Sequence, residues 1–398
     1  MLPADLTGTI LVTYGDTPLL TGATLTDLLA LHEESGSAAT VLTSHLADPT
    51  GYGRILRDHD GAVAGIVEEK DATPEQRRIT EVNSGIYAFE ATVLRTSLAQ
   101  VTTDNAQGEK YLTDVLALAR AAGGHVGAHV IDDTWQTEGV NDRVQLATLG
   151  KVLNERILEE HMRAGVTIVD PATTWVDVDV SIGQDTVIRP GTQLLGATSI
   201  GQNAEVGPEV TLTDTEVGDG AHIRRAEALL AVIGPEATVG PYSYLRPGTT
   251  LGRGAKVGGF VETKNATIGD GAKVPHLTYC GDATIGAGAN IGAGTIFANY
   301  DGVAKHHTTV GRHSFVGSDT VLVAPVDIAD GAYVGAGSTV TGDVEPGQIA
   351  VGRARQRNID GWVARTRAGT ATDAAARAAQ EAGTRHTDEP SADQGDVR

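Results

Sequence analysis

Residues 232–263 read "VIGPEATVGPYSYLRPGTTLGRGAKVGGFVET", and every sixth place is Ile233, Val239, Leu245, Leu251, Val257 or Thr263. A period of six matches neither the alternation of an ordinary strand nor the 3.6 of a helix. The same period continues to both sides. It begins at Ile182 and runs through 188, 194, 200, 206 and 212, then 217, 223 and 229. After Thr263 it resumes at 268, 274 and 280, at 285, 291 and 297, and finally from 310 to 340. Only Thr263, Cys280 and Phe297 are not aliphatic. Repetition of this length is the signature of stacked units, each too small to bury its own apolar face.

Each hexad supplies one short strand and a corner, and three hexads close a triangular coil with the aliphatic side chain inside. The period breaks after six, three, six, three and three hexads, so every break is expected on one corner of a prism of nine coils. The longest break, 298–309, is expected to leave the prism as a loop.

Composition narrows the class of function. A net charge of -21 argues against nucleic acid or an anionic membrane as a general partner. The single cysteine, Cys280, excludes an internal disulfide and fits a reducing cytoplasm. No run approaches the ~18 apolar residues of a membrane helix. A soluble, cytoplasmic protein is expected.

The first 140 residues follow another pattern. "TGTILVTY", "ATVLTSHL" and "SGIYAF" read as strands, and "TLTDLLALHEE" reads as a helix capped by Thr24 or Thr26. That alternation predicts a three-layer α/β domain with a largely parallel sheet. Residues 142–165 predict a linker helix stopped by Gly165, and 371–398, apolar only through alanine, predict a disordered tail.

An aliphatic prism keeps its chemistry on the outside. Arg246 and Lys264 each follow an inward position and lie one coil apart, so their side chains should stack on one face. Two cations about 4.8 Å apart repel unless an anion such as phosphate lies between them. His276 points outward on the next coil, followed by Tyr279 and Asn290, and the 298–309 loop brings out Asn299, Tyr300 and Lys305. Taken singly, such charges are more often solvated and such a histidine more often structural; the spacing raises the odds. His306, His307 and His313 read as surface residues, and Cys280, at an inward place, as packing. Zinc held by histidines at a trimer interface, as in hexapeptide-repeat carbonic anhydrases, lacks the spacing it needs.

"YLRPGT", "FVETKN", "HLTYCGDATIGAGANIGAGTIFANYDG" and "FVGSDTVLVAPV" resemble the acetyltransferase half of a known family, of actinobacterial type. Its members are bifunctional N-acetylglucosamine-1-phosphate uridyltransferases and glucosamine-1-phosphate N-acetyltransferases. The resemblance implies a left-handed parallel β-helix and a homotrimer whose sites combine neighbouring prisms. It implies that Arg246, Lys264, Tyr279 and Asn290 hold glucosamine 1-phosphate, with Asn299 and Tyr300 completing that site and His276 as catalytic base. Ala293, Lys305, Ser318, Ala336 and Arg353 would then line the acetyl-CoA groove. Trp362, in "RNIDGW", would close it from an adjacent chain. The chemistry suits a histidine: a sugar ammonium cannot attack a thioester until it loses a proton, and imidazole is the ordinary acceptor near neutral pH.

"TYGDTPLL", "GYGRILRD", "GIVEEKDAT", "EVNSGIYAF" and "GVNDRVQL" resemble the uridyltransferase half, a Rossmann-like nucleotidyltransferase domain. By that resemblance Tyr14, Gly15, Asp16, Gly53, Glu68, Asn83 and Asn141 bind the UDP-sugar, and Asp16 and Asn141 ligate Mg²⁺. The family's Gly-rich loop "LAAGxGTRM" is not among the 398 residues, so a truncated first domain with impaired uridyl transfer is expected. The expected boundaries are 1–141 for the partial uridyltransferase domain, 142–165 for the linker helix, 166–353 for the β-helix, 354–370 for a C-terminal segment and 371–398 for the tail. Two alternatives stay open: a non-catalytic trimeric scaffold, and an acetyltransferase for another amino sugar.

Overall fold

The computed structural model describes Pro3 and residues 5–387, in two compact units, Met1–Leu230 and Ala231–Arg398. In the first unit six strands form one sheet: Thr9–Val12 (β1), Ala39–His45 (β2), Arg54–Arg57 (β3), Val63–Val67 (β4), Glu81–Glu90 (β5) and Val126–Ile131 (β6). Their order is β4-β3-β5-β2-β6, with β1 also on β5.

Helices cover both faces, as the alternating pattern predicted. Leu28, from the helix Gly22–Glu34 (α1), packs with Leu42, Ile86 and Ala88. Val41, Tyr87 and Phe89 point the other way, onto Leu94 of Ala91–Leu98 (α2) and Val115 and Leu116 of Asp114–Ala121 (α3). Successive residues of one strand thus serve opposite cores. The expectation of a largely parallel sheet is corrected. Among the described residues only β2 and β6 run parallel, because the long central β5 runs against β1, β2 and β3, and β3–β4 is a hairpin. The cap of α1 is corrected too: Thr21, not Thr24 or Thr26, accepts the Thr24 N–H.

The linker helix runs Arg143–Arg163 (α4), with Asp142 accepting the Val144 and Gln145 N–H groups at 2.8 Å. Its buried middle is polar. Asn154 donates to the Thr174 carbonyl at 2.8 Å and accepts from the Val176 N–H at 2.9 Å, so its amide completes the ladder of the first prism strand edge.

From Thr167 the chain forms a parallel β-helix. In the first unit Leu194 and Leu212 stack directly in register, as do Ile188 and Val206. In the second unit many partners lie 17 or 18 residues on, as in Thr238↔Lys256 and Lys256↔Lys273. The inward series is buried nearly throughout, with one correction: Ala228, 1% exposed and in register with Leu212, takes the inward place expected of Leu229.

Where the spacing falls from six to five, the corner shrinks to one left-handed residue. Asp214, Arg225, Leu230, Asn265 and Asp282 have φ of 43–48°, against 51–62° for the other non-glycine corners. Asn265 and Asp282 let the strands Glu262–Ile268 and Tyr279–Ile285 bend round that corner and serve two faces. Residues 371–387, expected to be disordered, form the helix Ala371–Thr387 beyond the short helix Trp362–Thr366. Alanine has the highest helix propensity, and an Asp373–Arg377 pair at 3.0 Å supports the first turns. Residues 388–398 lie outside the described residues.

Candidate active sites

Two sets of expected residues are brought together in the β-helix of the second unit. Arg246 follows the strand Ser243–Leu245, whose register (Leu245↔Thr263) places it beside Lys264. The register continues Lys264↔Gly281, and Gly281 has no side chain for a specific reason. A Cβ there would fall 2.4 Å from the Tyr279 hydroxyl and 2.8 Å from the Asn299 amide nitrogen. Gly281 is therefore the floor that lets Tyr279, Asn299 and Lys264 converge.

Charge is concentrated on that floor. Lys305, at the end of the loop bridged by Tyr300↔Lys305, lies beside Lys264. Lys305, and then Arg246, push the Lys264 ammonium below the usual lysine value. Arg246 donates to Glu262 at 2.8 Å, and that carboxylate holds its guanidinium up. Asp282 accepts from Asn265 at 2.7 Å and from Asn299 at 2.5 Å. Burial pushes the Asp282 carboxyl up, but those two hydrogen bonds and the charges of Lys305 and Lys264 outweigh it and hold it below the ordinary range. Tyr300 is 60% exposed and donates to the Gly302 carbonyl at 2.7 Å.

The second set is a single file. His276 ends the strand Lys273–His276, and the Gly294 N–H donates to its carbonyl, so Ala293 stands one coil on. The Asp319 N–H donates to the Ala293 carbonyl and the Gly337 N–H to that of Ser318. His276, Ala293, Ser318 and Ala336 therefore climb the prism one coil at a time, about 4.8 Å per step. Arg353 reaches the top, where its Cδ lies 3.5 Å from a Cβ built on Gly337. Asn290 stands on the same face as His276, three residues before Ala293, whereas Lys264 and Tyr279 stand on the next face. Trp362 lies under the Arg367 guanidinium at 5.6 Å. Cys280 is fully buried, and burial pushes its thiol up to about 12, as packing requires.

In the first unit a cavity of about 480 Å³ is lined by Tyr14, Gly53, Glu68 and Asn83. Gly53 is again a close approach: a Cβ would meet Glu68 Oε2 at 3.3 Å and Asn83 Cβ at 3.5 Å. The Tyr14 ring lies where a side chain on Gly85 would stand. Gly15 has open space beside it, and Asp16 is tied to the segment before Asn141, its carbonyl accepting the Val140 N–H at 2.9 Å. A larger hollow, about 770 Å³ around Trp175, holds none of the expected residues.

Sequence reasoning missed Asp282, Gly281 and Glu262 in the second unit, and Glu109, Lys110, Tyr111 and Thr113 in the cavity, where Thr113 donates to Glu68 at 3.0 Å. The signal for Asp282 was present: it occupies a shortened corner of the repeat.

A nucleotidyl transferase family model matches residues 4–178, and one for the hexapeptide repeat of succinyl-transferase matches 307–342. The chain is 61% identical over 370 residues to the bifunctional protein GlmU of Mycolicibacterium vanbaalenii, covering 93% of this chain and 75% of that protein. It is 60% identical over 373 residues to the bifunctional protein GlmU of Corynebacterium efficiens, covering 94% and 77%. It is 56% identical over 393 residues to that of Mycobacterium marinum, covering 99% and 80%. With a nucleotidyltransferase fold, a hexapeptide β-helix and this degree of identity together, the chain belongs to the bifunctional GlmU family.

Proposed function

We propose that the β-helix transfers acetyl from acetyl-CoA to the amine of glucosamine 1-phosphate at the floor around Gly281, and that the 480 Å³ cavity takes the sugar of uridyl transfer. The enzyme is a transferase with both activities of its family, glucosamine-1-phosphate N-acetyltransferase and N-acetylglucosamine-1-phosphate uridyltransferase, and serves cell-wall precursor synthesis. The observation that carries the acetyl reading is the convergence of Arg246, Lys264 and Lys305 beside a tyrosine hydroxyl and an amide. Cations crowded enough to depress one another relax when a dianion enters. The His276–Arg353 file then offers small residues along which an extended thioester can lie.

In the reaction, His276 takes a proton from the sugar ammonium. The freed amine attacks the thioester carbonyl, the C–N bond forms and a tetrahedral oxyanion develops. The nitrogen, cationic once the C–N bond has formed, gives a second proton to water; collapse breaks the C–S bond, and the thiolate leaves with the first proton, returned by the imidazolium. Tyr279, Asn299 and Tyr300 orient the sugar, and Ala293, Ser318, Ala336 and Arg353 hold the coenzyme.

The family's nucleotidyltransferase chemistry implies a divalent metal. Asp16 and Asn141 are hard oxygen donors, and the Val140–Asp16 hydrogen bond keeps their segments adjacent, which fits Mg²⁺. Asp16 and Asn141 would hold such an ion where it would neutralise charge on the transferring phosphate. Gly53, Glu68 and Asn83 hold the sugar while Tyr14 and Gly15 flank it.

A homotrimer in the cytoplasm completes the reading. Supporting it, Tyr242 and Phe260 stack at 5.2 Å on one corner of successive coils, followed by Leu277, all 56–62% exposed. Bulky residues in left-handed corners cost more than glycine, so an apolar row there fits a covered surface. Trp362 would reach a neighbouring chain's groove.

Release of the coenzyme thiol with glucosamine 1-phosphate tests acetyl transfer. No release would leave a scaffold, and release with another amino sugar alone would change the substrate. Pyrophosphate release with UTP, N-acetylglucosamine 1-phosphate and Mg²⁺ tests the other half and decides whether it is impaired. For the anion site, Lys264→Ala should lower kcat/KM for glucosamine 1-phosphate about 10- to 100-fold, mainly through KM, as expected for one charge-assisted contact. Unphosphorylated glucosamine should be little affected. Equal losses on both substrates would remove Lys264 from the phosphate.

A further inference from the structure

Lys264 and Lys305 both act electrostatically on Asp282, and both its oxygens are already engaged. Asn265 on the coil before and Asn299 on the coil after each give it an amide N–H, at 2.7 and 2.5 Å. All three belong to one corner, and Asn265 and Asp282 hold left-handed backbone at φ 46° and 48°. A carboxylate accepting two fixed amides is poorly placed to ligate a sugar phosphate, which the surrounding cations attract and Asp282 repels. Its effect passes through Asn299.

An asparagine amide is two-faced, one side donating and the other accepting. By accepting one N–H of Nδ2, Asp282 fixes which way the Asn299 amide faces and leaves the carbonyl oxygen Oδ1 on the opposite side to accept elsewhere. Asn299 is only 7% exposed, and its own carbonyl is held by the His306 N–H at 2.8 Å, so the side chain has little room to turn. With Nδ2 turned to Asp282 and to the Gly281 floor, Oδ1 on the other side of the amide is left as an acceptor, and an acceptor suits an amine. It holds an N–H of the sugar nitrogen and leaves the lone pair aimed elsewhere, toward the thioester.

We propose that Asp282 is a positioning residue for acetyl transfer. It fixes Asn299 as a hydrogen-bond acceptor for the sugar amine and tempers the charge of Lys264 and Lys305. This rests on the acetyltransferase reading, and the two fail differently: if the wild-type protein acetylates no glucosamine 1-phosphate, that reading falls before Asp282 is tested.

The test is Asp282→Asn, which keeps shape but loses the charge. A neutral amide has one oxygen, so it cannot accept from both neighbours, and Asn299 is free to reverse. Kinetics should split: kcat lower by about tenfold or more, with KM for glucosamine 1-phosphate unchanged or reduced, because removing a negative charge strengthens the anion site. Asn265→Ala is the comparison, since it removes the other hydrogen bond of Asp282 and leaves that to Asn299. It should lower the unfolding midpoint while leaving kcat within about twofold. An Asp282→Asn enzyme with wild-type kcat, or one whose only change is a raised KM, would overturn the proposal. So would equal kcat losses in both variants, which would make Asp282 a purely structural corner. If Asp282→Asn does not fold, Asn299→Asp tests the same orientation. A carboxylate facing Asp282 cannot donate to it, so kcat should again fall while the Asn265–Asp282 bond holds the corner; wild-type kcat would overturn the proposal.

Discussion

His276→Ala lowers kcat for acetyl transfer by about 10²–10⁴, the range for losing a general base. The imidazole stands exposed at the end of its strand, with Val274 turned inward two residues earlier. Its removal therefore costs the prism no apolar packing, and the variant should sediment and melt as the wild type does. Substrate binding should hold, because the cations at Lys264, Lys305 and Arg246 stand on the neighbouring face and corner. Raising the pH should recover part of the rate, since free sugar amine then exists without a protein base. The pH–rate profiles of both proteins, taken beside their sedimentation, decide the matter. Wild-type turnover in a folded variant would remove His276 from the mechanism, and a misfolded one would make it a structural residue.

Phe297→Ala destabilises the β-helix by about 3–5 kcal/mol, the usual cost of emptying a buried aromatic site. Phe297 is fully buried, is the only aromatic of the inward series, and lies in register with Leu322 on the following coil. Hydrogen-bonded strands fix the coil spacing, so the walls cannot close on the space left behind. The denaturant midpoint measures it. A loss under about 1 kcal/mol would show that the coil collapses after all. Asn299 lies two residues on, so acetyl transfer should weaken as well.

The period of six made the prism legible, because a corner every sixth residue must be small or left-handed and an inward residue must be apolar. It misplaced Leu229, since two successive corners there are shortened and the phase slips to Ala228. In the first domain, alternation announced helices on both faces but not strand direction. The reversal of β5 is set by tertiary pairing, and nothing in "SGIYAF" distinguishes up from down. Ala293, Ser318 and Ala336 were reached one by one through family resemblance, yet one register sets all three above His276, which the repeat alone had turned outward. Asp282 and Gly281 escaped because their roles depend on what the adjacent coils bring, which spacing within one coil cannot express. The tail escaped because alanine looks featureless to an apolar period while favouring helix.

The loop at 300–307 leaves the prism from the shortened corner and returns as though nothing had been inserted. Ile268 pairs with Ile285 across 17 residues, and on the next coil Ala283 pairs with Thr308 across 25, a difference of eight. Chain-closure entropy grows only with the logarithm of length, so those eight residues cost about 0.3 kcal/mol. Elsewhere on the wall a one-residue change shifts an inward side chain out of the interior. A parallel coil thus has one hinge at which chain length is nearly free, and a segment spliced there inherits a rigid address. In this chain that address brings Lys305 beside Lys264. The geometry that makes the prism monotonous is what lets a new loop be tried on it without unfolding the rest.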